Sequence, residues 1–116
     1  MLVPEKAVKA AKYSNVRRAK VSAVAFASSG EIIATAHNRR IDGQSKKFTQ
    51  HAEEALINKL HKLNAFDRFR GITILVIRIN KKGLSMAKPC KNCHKLLSKY
   101  PVKIKYSGWD QQIHDC

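Results

Sequence analysis

Two short stretches of the chain carry side chains suited to metal binding and proton transfer: "HAEE" at positions 51–54 and "PCKNC" at positions 89–93. Cys90 and Cys93 are one helical turn apart. From a helix N-terminus both thiols can point at one spot about 2.3 Å from each sulfur, the length of a Zn–S bond. The dipole and bare N–H groups of a helix start also favour thiolates there. A third ligand is needed, and His51 is the natural candidate because it too opens a helix directly after a loop. A zinc ion with three protein ligands keeps its fourth position for water and lowers the pKa of that water to about 7. Glu53, two residues beyond His51, is close enough to reach the water without binding the metal. His51 would therefore hold metal and Glu53 would move protons. Each motif alone has other uses: a CxxC pair also serves structural zinc or redox chemistry, and an HxE at a helix start also serves as a cap.

The rest of the composition bounds what surrounds such a site. With 116 residues and 44% hydrophobic content, the chain can bury one core, which predicts a single domain over residues 1–116. No stretch approaches the roughly 18 to 20 apolar residues of a membrane span, and residues 1–12 alternate charge and alanine where a signal peptide would be apolar. A soluble protein of the cytoplasm is expected. The three cysteines are an odd number, which favours metal or redox chemistry over a disulfide framework, and the terminal Cys116 is left out of the metal set. The net charge of +15, from 23 Lys+Arg against 8 Asp+Glu, attracts anions such as nucleic acid or a phosphorylated metabolite.

Periodicity supplies the elements that must position the motifs. "VPEKAVKAAKYS" reads as a first helix with Ala7, Ala10 and Ala11 as its small apolar stripe. "KVSAVAFASSGEIIATAHN" reads as two antiparallel strands turning at Ser28, Ser29 and Gly30. Residues 39–50 are polar and aperiodic, which predicts a loop delivering the chain to His51. In the helix that follows, Ala52, Leu56, Leu60 and Leu63, with Ala55 alongside, form a core-facing stripe. "GITILVIRIN" is a nearly continuous β-branched run suited to a central strand covered on both faces. Pro89 opens a helix over residues 90–100 and Pro101 closes it; "VKIKYS" is a last strand, with a short partner in "QQIHD". The expected order is α-β-β-α-β-α-β, with one further strand allowed.

"HAE" and "PCKNC", each opening a helix and separated by a buried strand, make up the pattern H-x-E followed by P-C-x-x-C, the signature of zinc nucleobase deaminases. On these residues the chain resembles the cytidine/deoxycytidylate deaminase superfamily over roughly residues 21–107. "HAEE" followed by "PCKNCHKLL" is similar to deoxycytidylate deaminases, and "INKKGLSMAKPCKNC" is similar to small cytidine-deaminase-like proteins of viruses and phages. The resemblance implies a three-layer α/β/α fold around a mixed central sheet, a Zn²⁺ cofactor, and conversion of the cytosine of a nucleoside or nucleotide to uracil with release of ammonia. It implies that Asn38 in "AHNRR" holds the sugar and that Phe48, Ala52 and the first hairpin wall the ring. It also implies a homo-oligomer in the cytoplasm, or in the host cytoplasm for a viral protein. The chain departs from its subgroups in places. Many free-nucleoside deaminases carry cysteine at the position of His51, and deoxycytidylate deaminases often follow HAE with Asn-Ala where this chain has Glu54, Ala55 and Leu56. Chains resembling the tRNA adenosine deaminases usually continue with further helices.

Among the remaining candidates, His37, His61 and His94 read as surface or supporting residues. Trp109 reads either as a stacking platform for a base or as cover for a core edge. Arg17, Arg18, Arg39, Arg40, Lys46 and Lys47 flank the loops at the mouth of the site, as a solvated basic face or a phosphate-binding one. Two other functions stay open: a polynucleotide deaminase acting on single-stranded RNA or DNA, which the charge favours, and a non-catalytic zinc-containing nucleic-acid-binding module, against which Glu53 speaks.

Overall fold

The computed structural model describes residues 7–9, 11–12, 20–42, 47–80 and 83–116, and over residues 39–50 the backbone only. The first hairpin folds as its alternation predicts. β1 (Lys20–Phe26) and β2 (Ile32–His37) pair antiparallel, and Gly30, at φ +89, donates its N–H to the Ala27 carbonyl to close the turn. Only glycine takes that backbone conformation without strain. β3 (Arg39–Asp42) and β4 (Lys47–Gln50) form a separate two-stranded sheet before α1 (Ala52–Lys62) and the short α2 (Ala65–Arg68). Then come β5 (Ile72–Asn80), β6 (Gly83–Ser85), α3 (Lys91–Leu97), β7 (Val102–Ser107) and β8 (Ile113–Asp115).

The main sheet has six strands in the order β2-β1-β5-β7-β8, with β6 pairing β5 off that path. It is mixed: β5 and β7 run parallel across the α3 connection, and the other pairs are antiparallel. β5 alternates between two cores, as a strand covered on both faces must. Ile72, Ile74 and Val76 join Ala23 and Ala25 of β1 against Leu56, Leu60 and Leu97 of the helices. Leu75 and Ile77 face the other way and join Val24 and Ala7. Residues 7–9 and 11 are helical, and the Ala7 carbonyl accepts a hydrogen bond from the Ser22 hydroxyl, so the first helix covers the second face. This is the expected α/β/α layering, of the first helix on one side and α1 and α3 on the other. The rest of that first helix, Ala10 included, lies outside the described residues.

Three expectations need correction. Residues 39–50 are not a loop but the β3–β4 hairpin, with Ile41 opposite Phe48. Four-residue strands are too short to display alternation, and their ladder is held by backbone groups whatever the side chains. Leu63 does not extend the α1 stripe: it is the C-cap, 43% exposed, and the buried set is Ala52, Glu53, Leu56, Ile57 and Leu60. The helix ends there because Asn64 turns left-handed, at φ +52. α3 is shorter than expected, with Cys90 as its N-cap and Ser98 as its C-cap.

Candidate metal centre and active site

β5 forks beyond Val76, and the fork steers the chain to Cys90. Its first half pairs with β7, whereas β6 runs back antiparallel along its last residues. The fully buried Ser107 sits in the crotch: its hydroxyl accepts from the Arg78 N–H at 3.1 Å and donates to the Ser85 carbonyl at 2.8 Å, while its carbonyl accepts from the Ala87 N–H at 2.8 Å. From the turn after β7, the Gln111 side chain bonds both the N–H and the carbonyl of Leu84 at 2.8 Å, standing in for a neighbouring strand. The segment from Ser85 to Pro89 is thereby fixed, and Cys90 emerges at the start of α3.

α1 starts at the same place from the other side. His51 is its N-cap, in extended conformation, and its carbonyl takes the first helical hydrogen bond from the Ala55 N–H. Its Nδ1 lies 3.0 Å from Cys93 Sγ and 3.8 Å from Cys90 Sγ, and the three donor atoms fall within 4.8 Å of one another. Cys93 is buried, while His51 and Cys90 are exposed. Burial pushes the Cys93 thiol well above its ordinary pKa, with the Glu53 carboxylate and the Cys90 thiol beside it acting in the same direction. Each of those causes disfavours negative charge on sulfur, and a cation placed among the donors would reverse the balance. One imidazole nitrogen and two sulfurs form a Cys/His set suited to tetrahedral zinc with one position left for a non-protein ligand. These residues could hold a metal ion, and the donor chemistry fits zinc.

Two of the three donors, His51 and Cys90, border a cavity of about 320 Å³ lined as well by Val21, Asn38, Ala52, Glu53 and Val76, together with Arg78, Met86, Ala87 and Lys88. That volume is at the lower end of small-molecule sites. Glu53, only 5% exposed, reaches the cavity from the first turn of α1 and approaches Cys93 closely enough to hydrogen-bond it. Ala52 is a fully buried part of the wall. Asn38 lines the cavity as well, but its Oδ1 already accepts from the Val21 N–H at 3.0 Å, tying the end of β2 to the start of β1. Phe48 lies on β4, immediately before the site in sequence; its side chain is outside the described residues, as are those of Arg39, Arg40 and Lys47 and the whole of Arg17, Arg18 and Lys46.

The other candidates stand apart. His61 bonds the Tyr100 hydroxyl at 2.8 Å and packs with Phe66, and His37 Nδ1 is 3.0 Å from the Asn38 carbonyl. His94 is exposed and borders a neighbouring cleft. Trp109 neither covers a core edge nor lines the cavity; it is 64% exposed on the turn held by Gln111. Arg78, Met86 and Lys88 were not expected in the wall. A signal existed for Arg78: it falls in phase with Ile72, Ile74 and Val76, and therefore on the face that carries α1 and α3.

The model of the family described as the cytidine and deoxycytidylate deaminase zinc-binding region matches residues 2–107. No curated protein sequence matches significantly. Among solved structures, cytidine deaminase from Mycobacterium leprae is similar at 20% identity, with a TM-score of 0.61 over 96% of this chain and 87% of that one. Cytidine deaminase from Mycobacterium tuberculosis is also similar at 20% identity, with a TM-score of 0.60 over 86% and 78%. The enzyme from Burkholderia pseudomallei, at 16% identity, has a TM-score of 0.63 over 97% and 87%. At such identities the likeness establishes the fold.

Proposed function

The chain belongs to the cytidine and deoxycytidylate deaminase zinc-binding family, and from that membership and the geometry of the site we propose that it is a zinc-dependent hydrolase converting the cytosine of a nucleoside or nucleotide to uracil. The observation that carries the reading is the meeting of His51, Cys90 and Cys93 donors within 4.8 Å beside a cavity that Glu53 also lines. In this reading His51, Cys90 and Cys93 hold the metal, and a single domain spans residues 1–116.

The reaction adds water at C4 of the ring and expels the amine as ammonia. Zinc, when bound, supplies an acidified water at neutral pH. The protein's own residues do the rest. Glu53 takes a proton from the attacking water and delivers it to ring N3 as the C4–O bond forms, then carries the remaining water proton to the amine nitrogen as the C4–N bond breaks and ammonia leaves. Its near-complete burial fixes the carboxylate and keeps bulk water from competing for those protons. Ala52 and Val76, which line the cavity, wall the ring, and Asn38 holds the sugar.

No helix among the described residues is long and apolar enough to cross a membrane. Among the described residues the sheet ends in the strands β2 and β8, and self-association fits edges that another chain can cover. The test is a substrate panel on the zinc-loaded protein: cytidine, deoxycytidine, their 5′-mono- and triphosphates, adenosine, and single-stranded oligonucleotides. Uracil products from the cytosine monomers and no hypoxanthine are expected. A fully zinc-loaded protein that turns over none of the cytosine compounds would refute the reading. Turnover of oligonucleotides alone would favour a polynucleotide enzyme, which the net charge of +15 also suits.

A further inference from the structure

Beyond the residues that serve the deamination itself, the cavity wall carries two cations with no evident task in it. Arg78 stands on β5 directly opposite Val21 of β1, and Val21 is in turn bonded to Asn38, so Asn38, Val21 and Arg78 form one row across the sheet. Two strand spacings separate the ends of that row, roughly 10 Å. Lys88 stands on the segment between β6 and α3, near Cys90. Among the described residues Glu53 is the only carboxylate in the cavity wall, against these two cations. No carboxylate among the described residues lies within ion-pair distance of either.

Arg78 is half-buried and extends from a strand whose preceding residues are almost wholly apolar. A guanidinium in such a place loses hydration, and a hydrogen-bonding anion restores what it loses. A neutral nucleoside offers only uncharged acceptors; a phosphate ester offers an anion, and the planar fork of arginine suits phosphate oxygens. Lys88, exposed on the segment before α3, adds a second charge to the same cavity wall.

Resting on the deaminase reading above, we propose that the substrate is a free cytosine nucleotide and that Arg78 and Lys88 select it over the unphosphorylated nucleoside by binding its phosphate. The size of the cavity, about 320 Å³, suits one nucleotide. Lys88 also borders an adjoining cleft of about 520 Å³ lined by Lys91, His94 and Asp115, the last paired with Lys105 at 3.3 Å, and a strand continuing through that cleft is the alternative that the oligonucleotide measurement below tests.

The test uses zinc-loaded Glu53→Gln protein, which binds without turning over, and measures cytidine 5′-monophosphate, cytidine and a cytosine-containing oligonucleotide by calorimetry. In that background Arg78→Ala and Lys88→Ala are each expected to weaken the monophosphate by about tenfold or more while leaving cytidine within about twofold. Arg78→Lys is expected to recover part of the loss. Lys88 is exposed on a connecting segment, so its variant reads the charge without disturbing the core. Equal weakening of both monomers, or of neither, overturns the proposal. So does an oligonucleotide bound more tightly than the monophosphate with a steep salt dependence, a log–log slope of roughly −0.7 per phosphate contacted. If the wild-type protein deaminates no cytosine compound, the deaminase reading fails, and the preference for monophosphate over cytidine in binding still decides the phosphate site.

Discussion

The two helix starts that meet at the site solve the same local problem in opposite ways. At α3 the N-cap is a candidate metal ligand that also caps: Cys90 Sγ accepts from the Cys93 N–H at 3.4 Å, and no acidic residue occupies the first turn. At α1 no side chain caps the helix, and the His51 ring is directed at the two sulfurs, while Glu53 and Glu54 in the first turn supply the negative charge that the dipole favours. In the proposed site one start would join local stability to metal binding in a single atom. The other would separate them, leaving the metal to His51 and the helix to its glutamates, one of which, Glu53, is the proposed proton carrier.

The largest effect expected from that division is at Glu53. Glu53→Ala should retain about one zinc per chain and the fold while turnover falls by roughly 10²- to 10⁴-fold, the range of general acid–base catalysis. A near-normal rate would move the proton shuttle elsewhere, with Glu54 the next residue to test. Next come the ligands. Cys90→Ser, Cys93→Ser and His51→Ala should each lose zinc by metal analysis, and a chelator should lower the thermal midpoint of the parent protein but not of these variants. Full zinc retention in Cys93→Ser would break the assignment.

Smaller effects sharpen the contrast between the two starts. Serine is a good N-cap, so metal-free Cys90→Ser should keep α3 intact, whereas metal-free Cys90→Ala should be less stable by about 1 kcal/mol in denaturant melts. At His51, which offers no side-chain cap, the corresponding serine and alanine variants should differ in the same sense only if the serine acquires a cap that the parent lacks. The smallest effect is at Cys116, where serine should leave zinc content unchanged; a loss there would bring a fourth protein ligand into the site.

The donors and the layers could be read from the sequence because each rests on a strong local rule. A CxxC after proline fixes two thiols to one helical turn, and the run from Ile72 to Ile77 is too apolar for any place but the middle of a sheet. The β3–β4 hairpin was harder to read because its residues are mostly polar; the Asp42-Gly43 pair was the one turn signal there. The fork of β5 was harder still. It depends on hydrogen bonds from Ser107 and Gln111, residues far along the chain whose types alone announce no such role. Arg78 was legible only in part: its phase with Ile72, Ile74 and Val76 gives its face, but its place in one row with Asn38 follows only once the register with Val21 is known.

His51 and Cys93 are 42 positions apart in the chain, and that separation sets an order of assembly. In the unfolded polypeptide only the neighbouring cysteines are already close, so a metal ion meets two ligands there and a third only after β5 has been laid between β1 and β7. Affinity for zinc is therefore a property of the finished sheet, and metal uptake followed during refolding should lag strand formation. Contacts that span so much sequence form late because the intervening chain must first be ordered. A chain stalled before that step would carry a loosely held ion on a CxxC pair, open to exchange with any stronger chelator nearby.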